Sequence, residues 1–124
     1  MKGRLGIGVD PNSPAMGTMK MAVEGKIGAR GVHVVVSGQN WPDHVFTPGY
    51  RLRPLSEVAY FVGVNGHLPD VPSAAEVQAQ GLDLEEMDAR LLRKVEELTL
   101  YLIEQQRENA ALRARIECLE TARQ

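Results

Sequence analysis

Any chemistry this chain performs must be built from few groups. Histidine occurs three times, at His33, His44 and His67. Imidazole is the side chain best suited to move protons near neutral pH or to ligate a metal. None of the three stands at metal-ligand spacing from another histidine, from Cys118 or from a nearby carboxylate. Asp43-His44 and His67 with Asp70 are the only acid–histidine neighbours. A hydrolytic site would add a nucleophile, such as Ser56 or Ser73, and an oxyanion hole. The sequence supplies a context for neither, and Ser73 is better explained as a helix cap. The histidines therefore read as structural or surface groups, and no catalytic residue, cofactor or metal is expected.

Two further motifs fall away on inspection. Gly6-Ile7-Gly8 has the look of a phosphate-cradling loop, but no Gly-Lys-Ser/Thr follows and no helix clearly opens after it. It reads as turn glycines between strands. Cys118 is the single cysteine, which excludes an intrachain disulfide framework and leaves the compartment open. Met16, Met19 and Met21 could form a soft binding surface, although apolar packing in an oligomeric β-layer is the preferred reading.

The elements that would position such groups are modest. A chain of 124 residues allows one small domain plus an extended element. Aromatics are 5% of it, and all but Tyr101 lie between Trp41 and Phe61, where one compact aromatic-bearing core is expected. Net charge is −2 without a basic stripe, so no nucleic-acid partner is expected. No apolar run approaches the length that spans a bilayer, so no membrane insertion is expected. A beginning inside a Gly-rich strand pattern suggests that Met1 continues a longer chain.

Residues 1–38 read as short strands with tight turns. Met19, Met21 and Val23 alternate with polar or small residues, and Val32, Val34 and Val36 repeat the pattern. Their open edges would be covered by strands of neighbouring copies. Residues 39–82 form a small lobe. Pro42, Pro48 and Pro54 forbid a continuous helix, so an ordered loop packed by aromatics comes first. A short helix follows over about 55–64, with Leu55, Val58, Ala59 and Val62 at helical spacing and Asn65-Gly66 as its stop. Ser73-x-x-Glu76 is a capping box opening a second short helix that Gly81 ends.

Residues 83–124 contain neither glycine nor proline. Asp83-x-x-Glu86 opens a helix of roughly 55 Å at 1.5 Å per residue, too long for a core of this size to cover. Val95, Leu102, Asn109 and Ile116 fall at heptad positions a, and Leu98, Gln105, Leu112 and Leu119 at d. Glu108 at g precedes Arg113 at e, and Arg115 at g precedes Glu120 at e. These pairs meet with opposite charge only in a parallel, in-register coil. Leu84, Met87 and Leu91 continue the seam upstream through a four-residue stutter. Gln105 and Asn109 make a polar layer that fixes register and copy number. Val and Ile at a, Leu at d and Asn at a lean toward two strands. Cys118 falls at c, facing solvent. A monomeric amphipathic helix lying on a globular core is the competing reading.

Leu5-Gly-Ile-Gly-Val-Asp-Pro and Met21-Ala-Val-Glu-Gly-Lys-Ile-Gly-Ala-Arg30 resemble the strand repeat that precedes the end domain of many phage tail fibres and bacterial surface proteins. Trp41-Pro-Asp-His-Val-Phe46, Tyr50-Arg-Leu, Leu55-Ser-Glu-Val58, Asn65-Gly-His-Leu-Pro69, Pro72-Ser-Ala-Ala-Glu-Val77, Leu91-Leu and Glu96-Glu-Leu-Thr-Leu-Tyr101 resemble a C-terminal module of tail-fibre-like and surface adhesin proteins of Bacteroidetes-type bacteria. That module is similar in architecture to the endosialidase-type intramolecular chaperone domain. The resemblance implies an α+β protein with interchain β-strands, a helical lobe and a homotrimeric parallel coil, located on a virion tail fibre or a cell surface. The Ser-Asp junction of the self-cleaving chaperones is absent, so no autoproteolysis is expected.

The leading expectation is thus a non-enzymatic trimerisation and capping module, with Leu91, Val95, Leu98, Leu102, Gln105, Asn109, Leu112, Ile116 and Leu119 as the oligomer core. A receptor-binding tip is the alternative, with Trp41, His44, Tyr50 and His67 contacting a cell-surface glycan or protein. A self-cleaving intramolecular chaperone is the third reading.

Overall fold

A computed structural model describes residues 3–35 and 41–124 of the chain. The chain divides into two compact units, Met1–Val35 and Val36–Gln124. Its architecture mixes three helices, the last of them long, with a two-stranded parallel sheet.

In the first unit, β1 (Leu5–Ile7) pairs with β2 (Met21–Val23) in parallel, Gly6 opposite Ala22. A parallel pair needs a crossover of about a dozen residues. Here it contains a 3-10 turn, Pro14–Met16, capped by the Ser13 hydroxyl, which accepts from the Ala15 N–H at 3.2 Å. Met16 from that turn is fully buried, whereas Met19 and Met21 are exposed. Gly6 is required by space: a Cβ there would stand 2.0 Å from the Val9 carbonyl oxygen. The chain bends back on its own strand at this point, so Gly6-Ile7-Gly8 serves packing.

The second strand pattern was expected to pair with strands of neighbouring copies. Residues 31–35 form no strand, and Val36 lies outside the described residues. Val32, Val34 and Val35 are exposed. Alternating β-branched residues suit a pleated surface, but a strand exists only as part of a hydrogen-bonded ladder, and this segment meets no ladder partner among the described residues of its own chain.

In the second unit, α1 spans Leu55–Asn65, α2 spans Ala74–Gln80 and α3 spans Leu84–Ala122. Their ends follow the local chemistry. Gly66 caps α1 at φ 72°, a left-handed conformation that glycine adopts without strain. At α2 the Ser73 hydroxyl accepts from the Glu76 N–H, and the Glu76 carboxylate accepts from the Ser73 N–H at 2.7 Å. The Ser73 N–H donating to the carboxylate, and then the Ser73 hydroxyl beside it, hold the Glu76 carboxyl below its usual range. At α3 the Asp83 carboxylate accepts from the Glu86 N–H at 3.1 Å.

The aromatic core expected over 41–61 is corrected. Trp41, Phe46 and Tyr60 are exposed, and Pro42 and Val45 are the buried side chains of that stretch. The 3-10 turn His44–Phe46 lies against α3 and inserts Val45, 1% exposed. Three consecutive turn residues point different ways, and the branched aliphatic one faces the helix.

Candidate functional site: the uncovered face of the long helix

Helix α3 presents two unlike faces. Ala89 and Glu96, seven residues apart, are buried. Leu91, Val95 and Leu98 lie roughly 100–180° round the helix from them at 100° per residue and are exposed. The chain therefore covers the back of α3 and leaves its apolar stripe bare.

A set of polar contacts fixes that choice of face. The Tyr50 hydroxyl donates to Glu97 Oε1 at 2.5 Å, and the Tyr101 hydroxyl donates to the Arg53 carbonyl at 2.6 Å. Lys94 Nζ reaches Glu97 Oε2 at 2.7 Å and Asp70 Oδ2 at 3.3 Å. Arg90 donates to the Asp70 carbonyl at 3.0 Å and pairs with Glu86. Arg53 stands 3.5 Å from the Asp70 carboxylate. Asp70 takes φ 63°, a left-handed conformation costing a non-glycine residue about 1 kcal/mol; its three cationic neighbours offset that. Partial burial, then the hydrogen bond to Glu97 and the charge of that carboxylate, push the Tyr50 phenol up to about 12. Burial raises the Tyr101 phenol too, with a smaller push from Glu97. These contacts define position more than they add stability, since half-exposed ion pairs contribute about 0–1 kcal/mol each. Glu96 Oε2 and Arg93 Nε are buried with no hydrogen bond among the described residues.

Below Tyr101 nothing from the described residues of this chain covers α3. Every residue from Leu102 to Gln124 is exposed, with Leu102 at 70% and Leu112, Ile116 and Leu119 each more than half exposed. Gln105 Nε2 donates to Asn109 Oδ1 at 3.3 Å, so the two polar seam residues bond to each other along the stripe. Among the described residues Glu108, Arg113, Arg115 and Glu120 form no ion pair within the chain. Cys118 is exposed.

The surface area carries the same message. The chain exposes 10749 Å². A compact monomer of 13.6 kDa would expose about 6,600 Å², and the two units as separate compact bodies about 7,700 Å².

The four receptor-contact candidates do not converge. His44 and Tyr50 pack edge to face, ring centres 5.7 Å apart, with the Tyr50 hydroxyl committed to Glu97. His67 packs edge to face on Phe61 at 5.5 Å. Trp41, 53% exposed, lines an open cleft of about 600 Å³ with Arg93 and Glu85. A separate cleft beside His67 shares Asp70 and Arg90 with it. The Asp70 cluster had no signal in the sequence, because its members come from three separate segments.

Among the described residues no group of three His, Cys, Asp or Glu side chains could hold a metal ion, and no helix is long and apolar enough to cross a membrane. Comparison with protein-family models, with curated proteins and with solved structures finds no match for this chain.

Proposed function

We propose that this chain is a non-enzymatic assembly module in which three copies join through a parallel, in-register coiled coil over α3, ending a phage tail fibre or bacterial surface fibre. The bare apolar stripe of α3 carries the reading. Val95, Leu98, Leu102, Leu112, Ile116 and Leu119 stand at a and d and face water in the single chain. Burying one such side chain contributes about 1.5–3 kcal/mol, and the last twenty residues of the helix have no cover among the described residues. Glu108 to Arg113 and Arg115 to Glu120 are free to pair between copies, which sets the helices parallel. Copy number rests on the likeness to fibre ends, whose interwoven strands take three chains, against the a and d residues that lean toward two. Sedimentation at micromolar concentration is expected to give a trimer. A dimer would correct the copy number, and a monomer would end the reading.

Trp41 favours a second reading, a receptor-binding tip. An indole half exposed beside Arg93 and Glu85 offers a stacking face with flanking polar groups, the equipment for a sugar ring. Trp41 is the sole tryptophan, so its fluorescence reports directly. Quenching by cell-surface polysaccharide, absent in Trp41→Ala, is expected if the cleft binds glycan.

A further inference from the structure

Helix α1 poses a question that a coiled coil alone leaves open. It buries no residue. Leu55, Ala59 and Val62, at i, i+4 and i+7, form an exposed apolar stripe along it. It borders α3 at a small apolar cleft of about 70 Å³ lined by Val58, Leu98 and Tyr101. So α1 sits on the flank of α3 that carries Lys94 and Tyr101, the g positions, and its stripe runs on from the seam through Val58 and Leu98. In a parallel coil the g flank of one helix meets the e flank of the next. On that opposite flank stand Thr99 at e and Ile103 one turn below it, both exposed. Ile103 lies outside the seam, at b, where a coil wants a polar residue.

Resting on the self-association proposed above, we infer that α1 of each copy clasps the next copy, its Leu55–Ala59–Val62 stripe lying against Thr99 and Ile103 of the neighbour's α3. The occupant is a second copy because both surfaces border the same bare seam on opposite sides. Each copy gives α1 to one neighbour and takes it from the other, a head-to-tail arrangement that closes into a ring. The clasp explains in one contact why α1 is apolar yet uncovered and why an isoleucine occupies a b position.

Disulfide cross-linking tests it. Cys118 is exposed and is replaced by serine throughout. In that background the double variant Val62→Cys/Ile103→Cys is expected, on oxidation, to give a ladder of covalent oligomers ending at the copy number, while each single variant gives none. A link within one chain is excluded by placement: Ile103 is two residues from Tyr101, about 160° round the helix from the flank α1 occupies, beyond disulfide reach. Leu112→Cys, at d, serves as the control for the coil itself. If Leu112→Cys cross-links and sedimentation shows an oligomer but the double variant stays uncross-linked, the clasp is wrong and the assembly reading stands. If every variant sediments as a monomer, both fall. Val62→Glu and Ile103→Glu, which need no disulfide geometry, are each expected to raise the dissociation constant about tenfold, the loss of one buried aliphatic contact. An unchanged constant would overturn the clasp.

Discussion

The two halves of α3 share a helix and differ in everything that touches it. From Leu84 to Tyr101 the rest of the unit covers one face, through Val45, the Tyr50–Glu97 and Tyr101–Arg53 hydrogen bonds and the Asp70 cluster. From Leu102 to Ala122 no described residue of the chain covers any face. Both halves carry the same a and d stripe, and both leave it bare. The upper half is a platform that a lobe orients; the lower half is a stretch of helix whose stability must come from elsewhere. An isolated helix shorter than about 12–15 residues is marginal in water, and a longer one gains most of its stability by packing. The difference teaches that the lobe covers the polar flank of the upper half and leaves the stripe facing away from it.

The sharpest way to break this contrast is to attack the lower half. Leu112→Asp/Ile116→Asp places two carboxylates at adjacent core positions, removing about 2 kcal/mol of burial per side chain and adding repulsion between copies. Loss of association by sedimentation is expected, with a fall in helical circular dichroism confined to the last turns. Persistence of the oligomer would move the interface off the stripe. An attack on the upper half is expected to act differently. Val45→Ala removes the side chain that anchors the loop to α3, at a cost of about 1–2 kcal/mol. It should lower the thermal midpoint and raise amide exchange in the lobe, with association through residues 102–122 retained.

The smallest effect is set by pH. The Tyr50 phenol is raised to about 12, so its neutral form is favoured in the folded state. Stability from that shift is whole below the ordinary value of 10 and is lost as pH rises from 10 through about 12. Ultraviolet titration should show one phenol ionising near 12, absent in Tyr50→Phe. A Tyr50 that titrates at 10 would mean the Glu97 contact is not held in solution.

Local chemistry was legible from residue types. Ser73-x-x-Glu76, Asp83-x-x-Glu86, Gly66 and Gly81 mark helix ends because caps are satisfied by neighbours three or four residues away. Helix α3 was legible from the absence of glycine and proline and from the stepping of its leucines. The aromatic loop was misread, because which of Trp41, Val45 and Phe46 turns inward depends on where α3 lies, and that is a long-range fact. The pattern over Val32–Val36 forms no strand across its described residues in the single chain, because alternation describes a surface suited to a ladder, and the ladder requires a partner.

The sequence by itself determined where helices begin and end and that a stripe of leucine, valine and isoleucine runs down the last one. Both follow from interactions spanning less than two turns. Only the tertiary structure decided which side of that helix the chain would cover. That side is fixed by Tyr50, Arg53 and Asp70, which lie 20 or more residues before their partners and whose hydrogen bonds and charges satisfy the polar flank of α3, so the apolar flank is left uncovered by the described residues of the chain.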